Sequence, residues 1–298
     1  MFKKTRLCLV LIVFFFFIPA FASLSANQDS AAAYPAQELF KLGPQRVFEG
    51  PSLKEVAFPL GGIGTGAVSL GGRGNLRDWE IFNRPGKGVD LPFTCFALYF
   101  QEEGKAPLVR VLEGPLTPPF TGQDGIPRTS VPGLPRMERA RFIGEYPIAR
   151  VELEDAKIPL QITLEAFNPF LPLKPEESGI PAVVLRYRIK NLSGKSVKVT
   201  VAGSILNPVG FDGAGTISGV GLDKFGANRN RVRKEERLSG LFMSSDKVKP
   251  DSPAIGTMAL TTTWKDLTYL SRWDWPRPWP RSRRSSCPSS CPGISRTS

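Results

Sequence analysis

Glycine and proline interrupt the apolar residues of this chain before any run grows long, and that punctuation most narrows what it can fold into. There are 29 glycines and 28 prolines in 298 residues, spread along the whole length. Short apolar runs between such breaks favour strands and turns over long helices, so an all-helical protein is not expected. Residues 148–153 and 160–167 alternate apolar and polar side chains at period two, as half-buried strands do. The aromatic run at 93–100, the polar stretch Gln101-Glu102-Glu103-Gly104-Lys105 and the return at 108–112 predict a hairpin. Residues 182–189 and 197–201 flank Asn191-Leu192-Ser193-Gly194-Lys195 and predict a second one. Residues 238–243 and 254–261 continue the style, and 114–135, rich in Pro, Gly and Thr, reads as a long surface excursion. The fold class expected is all-β, a large antiparallel β-sandwich over residues 46–270.

The two ends differ from this body. Lys3, Lys4 and Arg6 precede an unbroken apolar stretch at 7–17, and Ala20-Phe21-Ala22 offers a small-x-small cleavage site. Residues 1–22 are therefore expected to be a signal peptide, and the product to be exported to the periplasm or the extracellular space. The alternative is an uncleaved anchor, for which the apolar stretch is short; no stable membrane insertion is expected after cleavage. Residues 23–45, small, polar and Ala-rich, read as a mobile N-terminal segment. Residues 271–298 are Arg, Ser, Cys and Pro in composition, with Trp273, Trp275 and Trp279 interleaved with prolines. They read as a disordered basic tail, either genuine or the product of a frameshift in a G+C-rich gene.

Charge and residue counts remove whole classes of function. The formal charge is +12, but six arginines against one acid from residue 272 onward supply +5, and the first 22 residues +3. The body between carries only +4, with both signs mixed, so no nucleic-acid partner is expected. The chain has no histidine, which excludes Ser-His-Asp and Cys-His catalysis and histidine-ligated zinc. Cys8 lies in the signal, Cys95 in an apolar run, and Cys287 and Cys291 in the tail; this specifies neither a disulfide framework nor a metal site. No metal or cofactor is expected. Calcium at the carboxylates of residues 152–155 stays open, since their spacing is not that of a recognised loop.

Residues 58–68, Phe-Pro-Leu-Gly-Gly-Ile-Gly-Thr-Gly-Ala-Val, match G-x-G-x-x-A at Gly62, Gly64 and Ala67. A dinucleotide loop needs a helix after it, and Val68-Ser69-Leu70-Gly71-Gly72-Arg73-Gly74 has three glycines in seven positions, which a helix does not tolerate. The physical reading of Gly61, Gly62, Gly64 and Gly66 is close backbone approach, at a strand crossing, a bulge or a neighbouring domain. Asn75-Leu76-Arg77-Asp78-Trp79-Glu80-Ile81-Phe82-Asn83-Arg84-Pro85 follows. Trp79 between two carboxylates suggests a sugar platform with an acid and a base. The plainer reading is a strand that carries Leu76, Trp79, Ile81 and Phe82 into the core, with Asp78 and Glu80 salt-bridged to Arg73, Arg77 or Arg84. For catalysis the plainer reading is preferred; for substrate-rim or interdomain contact, Arg73, Asp78, Trp79, Glu80, Asn83 and Arg84 remain candidates with the four glycines.

The whole run FPLGGIGTGAVSLGGRGNLRDWEIFNRPGKG resembles the opening signature of glycoside hydrolase family 116, the family of non-lysosomal glucosylceramidases and related β-glucosidases. Residues 167–173 (Phe-Asn-Pro-Phe-Leu-Pro-Leu) and 178–191 are also similar to that family, and the resemblance covers roughly residues 45–270. It implies an N-terminal β-sandwich whose partner in the full-length protein is a catalytic (α/α)6 domain. That domain would supply a glutamate nucleophile and an aspartate acid/base for retaining hydrolysis of β-glucosides or glycolipids. Nothing in this sequence corresponds to that domain, so no catalytic residue is carried over, and the chain alone is expected to be inactive. The alternative is a free-standing secreted carbohydrate-binding sandwich that stacks sugars on Trp79 and other aromatics; a third reading is an interaction module that pairs with a separately encoded catalytic chain.

Overall fold

The computed structural model describes residues 35–39, 41, 43–118, 130–131, 133–211, 227–252 and 254–271. The predicted signal peptide, most of the predicted N-terminal segment, the centre of the 114–135 excursion and residues 272–298 lie outside them. The chain divides at Pro44 into two units. The first contributes one helical turn, α1 (Ala36–Leu39).

The second unit is mostly β, and among the described residues its named strands pair antiparallel. A five-stranded sheet runs in the order β1 (Arg46–Glu49), β7 (Arg139–Glu145), β8 (Ile148–Glu154), β9 (Leu160–Phe167) and β10 (Val184–Asn191). A second sheet has β5 (Cys95–Glu102) between β11 (Val197–Ser204) and β6 (Leu108–Val111). Two further three-stranded sheets are β2 (Ala57–Gly61), β3 (Ala67–Gly71) and β4 (Leu76–Glu80), and β12 (Asn228–Lys234), β13 (Ser239–Ser245) and β14 (Met258–Thr262). One helical turn, α2 (Pro175–Ser178), interrupts the path from β9 to β10.

Period-two patterning explains the layering. Across the five-stranded sheet the register aligns Phe48, Phe142, Val151, Leu164 and Tyr187 in one row, all turned to the core. One residue along, Glu49, Arg141, Glu152, Thr163 and Arg188 form the next row on the opposite face. There Arg141 bridges Glu49 at 3.2 Å and Glu152 at 2.9 Å, and Glu165 takes Arg186 and Arg188 at 3.3 and 3.1 Å. Leu98, Phe100 and Phe96 of β5 meet the apolar rows from the other layer, with the Phe96 and Tyr187 ring centroids 5.4 Å apart. At about 25 cal/mol per Å² of apolar area, this shared interior is the main stabilising term of the domain.

The predicted β5–β6 hairpin forms, with Phe100 opposite Leu108 and Leu98 opposite Arg110. The second predicted hairpin does not. β10 pairs with β9 and β11 pairs with β5, so residues 191–195 carry the chain from one layer to the other as an arch. Tyr187 and Ile189 on one side, Val197 and Val199 on the other, pack against the same core. Their apolar faces look at each other across the sandwich, which pairing side by side in one sheet would not allow. The turn itself is as polar as expected: Asn191 Oδ1 accepts from the Ser193 amide at 3.0 Å, and Gly194 sits at φ +67°.

Candidate functional site

The glycine-rich segment forms the β2–β3–β4 sheet and the loops at its ends. The β2–β3 connection, residues 62–66, closes with Thr65 N–H and Oγ1 both donating to the Gly62 carbonyl, at 3.2 and 3.0 Å. Gly62 is buried, and a Cβ on it would lie 2.5 Å from the Gly179 carbonyl oxygen and 2.7 Å from that of Ile180. The adjacent Ile63 amide donates to the Ser178 carbonyl at 2.8 Å. The loop is thereby fixed to the end of α2 by backbone contacts that only glycine permits. Gly64 is different: its surroundings are open, but its φ of +72° is left-handed. Gly61 (φ +132°) leaves no room for a side chain beside the Gly66 carbonyl, and a Cβ on Gly66 would meet the Glu80 carbonyl at 3.1 Å. The tip, from Ile63 to Gly66, is exposed.

A β-bulge shapes β4. Ser69 pairs with Arg77 and Ala67 with Glu80, so two steps on β3 span three on β4. The extra residue brings Asp78 into the left-handed region at φ 53°, which the short polar side chains of Asn and Asp tolerate best. Asp78 is buried, and its Oδ1 accepts the Gly88 amide at 2.7 Å while Arg77 Nε lies 3.3 Å from Oδ2. Burial pushes this carboxyl up, but the Gly88 amide, Arg77, the Ser69 hydroxyl and Lys87 together outweigh it and hold it below its ordinary range. Glu80 is bonded by Lys87 at 2.8 Å. Phe82 and Asn83 are both left-handed (φ 56° and 57°), so the chain turns sharply toward exposed Arg84.

Trp79 is 8% exposed and belongs to the core cluster; its Nε1 is buried without a hydrogen-bond acceptor. Its ring face is thus not open for a sugar to stack on. Arg73 turns instead to Glu113, a buried carboxylate that Arg136 also bonds at 3.3 Å. The plainer sequence reading of this segment therefore holds for Trp79 and for the Asp78–Arg77 pair. The other pairings run elsewhere: Glu80 takes Lys87, and Arg73 takes Glu113.

The structure gathers Asp78, Glu80, Arg73 and Trp79 around one bulged strand, with Asn83 and Arg84 in the loop that leaves it. Sequence reading missed Glu113, Arg136, Lys87 and Gly88, which complete the charge arrangement. The Gly86-Lys87-Gly88 turn carried a signal, a cation between two flexible residues just beyond two acids. Asp90, which keeps part of its surface open, is raised mainly by loss of surrounding water, against the pull of Arg73 and Arg77. Among these carboxylates, Asp78, Glu80 and Glu113 are each held by a cation of the same chain.

This fold and segment agree with a sequence-family match. Residues 57–282 match the family described as "beta-glucosidase 2, glycosyl-hydrolase family 116 N-term". The match begins at the first residue of β2 and runs 12 residues past the sandwich boundary expected at 270. No curated protein matches the chain. Since the matched residues are about three quarters of the sequence, the chain belongs to the N-terminal domain family of glycoside hydrolase family 116.

Proposed function

We propose that this chain is the non-catalytic N-terminal domain of an exported, retaining β-glycosidase of the β-glucosidase or glucosylceramidase type, acting on a β-glucoside or glycolipid. The observation that carries this reading is the family membership, because an N-terminal domain of these hydrolases implies a catalytic partner domain in the full-length protein. Retaining hydrolysis needs two carboxyl groups about 5–5.5 Å apart, one free to attack and one able to hand over a proton. Asp78 is ill suited to the second role, since its carboxyl is held ionised, and Glu80 is engaged by Lys87. These features support a supporting role for the segment.

In this reading the exposed tip at residues 63–66, rigidly backed by Gly62 on the end of α2, meets the helical catalytic domain or forms the rim of its sugar site. Arg84 and Asn83, beyond the bulge, belong to the same rim. The test is to sequence the gene from codon 260 through and past the stop. A reading frame that continues into a long helical domain supports the proposal. A verified stop, with no helical domain encoded in any frame behind it, would overturn it.

A further inference from the structure

A strand at the end of a sheet offers a row of unpaired N–H and C=O groups to any other extended chain, and proteins blunt such edges with shortness, proline, bulges or charge. Most of the edges among the described residues are blunted in one of these ways. β1 and β6 are four residues long and β14 is five. β2 contains Pro59, and β4 is bulged. β10 carries Arg186, Arg188 and Lys190 at alternate positions, and β12 carries Arg229, Arg231 and Arg233. β11 differs. It ends its sheet with eight residues, no proline, an unbroken register against β5 and Lys198 as its one charged side chain.

The core also lies open along this edge. Thr200, Val201, Ala202 and Gly203 are exposed in succession, so both faces of the strand reach water here. Opposed residues of an antiparallel pair share a face, and Val201 stands opposite Leu98. Leu98 is fully buried, whereas Val201 is 40% exposed. The apolar row that runs through Leu98 thus stops at a half-covered valine, where one more strand would continue it.

We propose that β11 pairs antiparallel with β11 of a second copy of this chain, about a two-fold axis that sets Thr200 opposite its own counterpart. The sequence is self-complementary in that register. Val201 meets Val199 of the second copy, which extends the apolar row, and Lys198 meets Ala202. The two lysines then stand about 13 Å apart along the strands, at 3.3–3.4 Å per residue, so no like charges oppose each other. The interface is isologous and closes as a dimer, joining two three-stranded sheets into one. The inference does not rest on the glycosidase reading, since this pairing needs no catalytic domain.

Sedimentation velocity of the purified chain over a concentration series tests it. Dimerisation is expected with a Kd on the order of 10 µM, as suits an interface built mainly on one strand pair. Thr200→Lys sets like charges directly opposite at an exposed position and should weaken association about fivefold or more. Thr200→Glu should do the same. An equimolar mixture of the two variants should restore a dimer that neither forms alone at the same concentration, which two misfolded variants would not do. Dimers that persist in both variants, or a mixture that fails to restore association, would overturn the proposal. A parent chain that stays monomeric well above that concentration would also overturn it, and would leave the β11 edge to a different partner.

Discussion

Lys195 Nζ lies 3.0 Å from Glu102 Oε1, joining the arch between the two sandwich layers to the last residue of β5. Lys105 holds the other carboxylate oxygen of Glu102 at 2.8 Å from the β5–β6 turn. One acid thus ties a hairpin turn within a layer to the crossover between layers. Its hydrogen bonds to Lys105 and Lys195 hold the Glu102 carboxyl below its ordinary value of 4.5.

Because the folded value is depressed, the stability Glu102 contributes is fully present above the unfolded value and is lost as pH falls through the folded one. Glu102→Gln should therefore lower the melting temperature at pH 7, while the gap between variant and parent closes toward pH 3. Thermal melts of both proteins across that range check it. A gap that stays constant with pH would show that the acid contributes through packing instead of charge.

Gly62 and Gly64 are two residues apart in one motif but are glycine for different reasons. At Gly62 a side chain has no space, and the obstacle is backbone. Gly62→Ala should cost about 2–4 kcal/mol or detach the loop from α2, as overpacking against a rigid neighbour does. At Gly64 the space is open and only the left-handed φ resists a side chain, so Gly64→Ala should cost about 1–2 kcal/mol. Gly64→Asn should cost less, because Asn tolerates that region. Urea denaturation of the three variants measures the ranking.

Asp78 is the most constrained carboxylate of the candidate segment. Asp78→Ala removes the charged acceptor of the Gly88 amide and places alanine at φ 53°; the expected loss is about 2–4 kcal/mol at pH 7. Asp78→Asn keeps an acceptor oxygen and suits the left-handed region, so it should cost about 1 kcal/mol less than alanine. The charge-dependent part is present above the ordinary carboxylate value of 3.8 and fades as pH falls through the lower folded one. Equilibrium unfolding at pH 7 and pH 3 separates the two contributions.

What the sequence revealed, and what it hid, divides along the range of the interactions. The alternation in residues 148–153 and 160–167 showed β8 and β9, because strand patterning is local. The apolar runs at 182–189 and 197–201 could not say whether the turn between them closes a hairpin or an arch. That choice depends on whether Tyr187 and Val199 sit in one sheet or face each other from two, and their partners lie in β9 and β5. In the glycine-rich segment, composition excluded a nucleotide loop, and the strand reading placed Trp79 in the core. The partner of Arg73 was not legible, since Glu113 is 40 residues away and marked by nothing in its own neighbourhood. The left-handed bulge at Asp78 was likewise hidden, since a local run of charged and aromatic residues carries no sign of register.

The central claim, that this domain supports hydrolysis without performing it, is tested most directly by incubating the purified chain with an aryl β-glucoside. The account predicts no release of the aryl group above the buffer rate, for the parent chain and for Asp78→Asn and Glu80→Gln alike. Turnover that persists through purification and disappears in either carboxylate variant would contradict it, by placing an acid/base pair on the bulged strand.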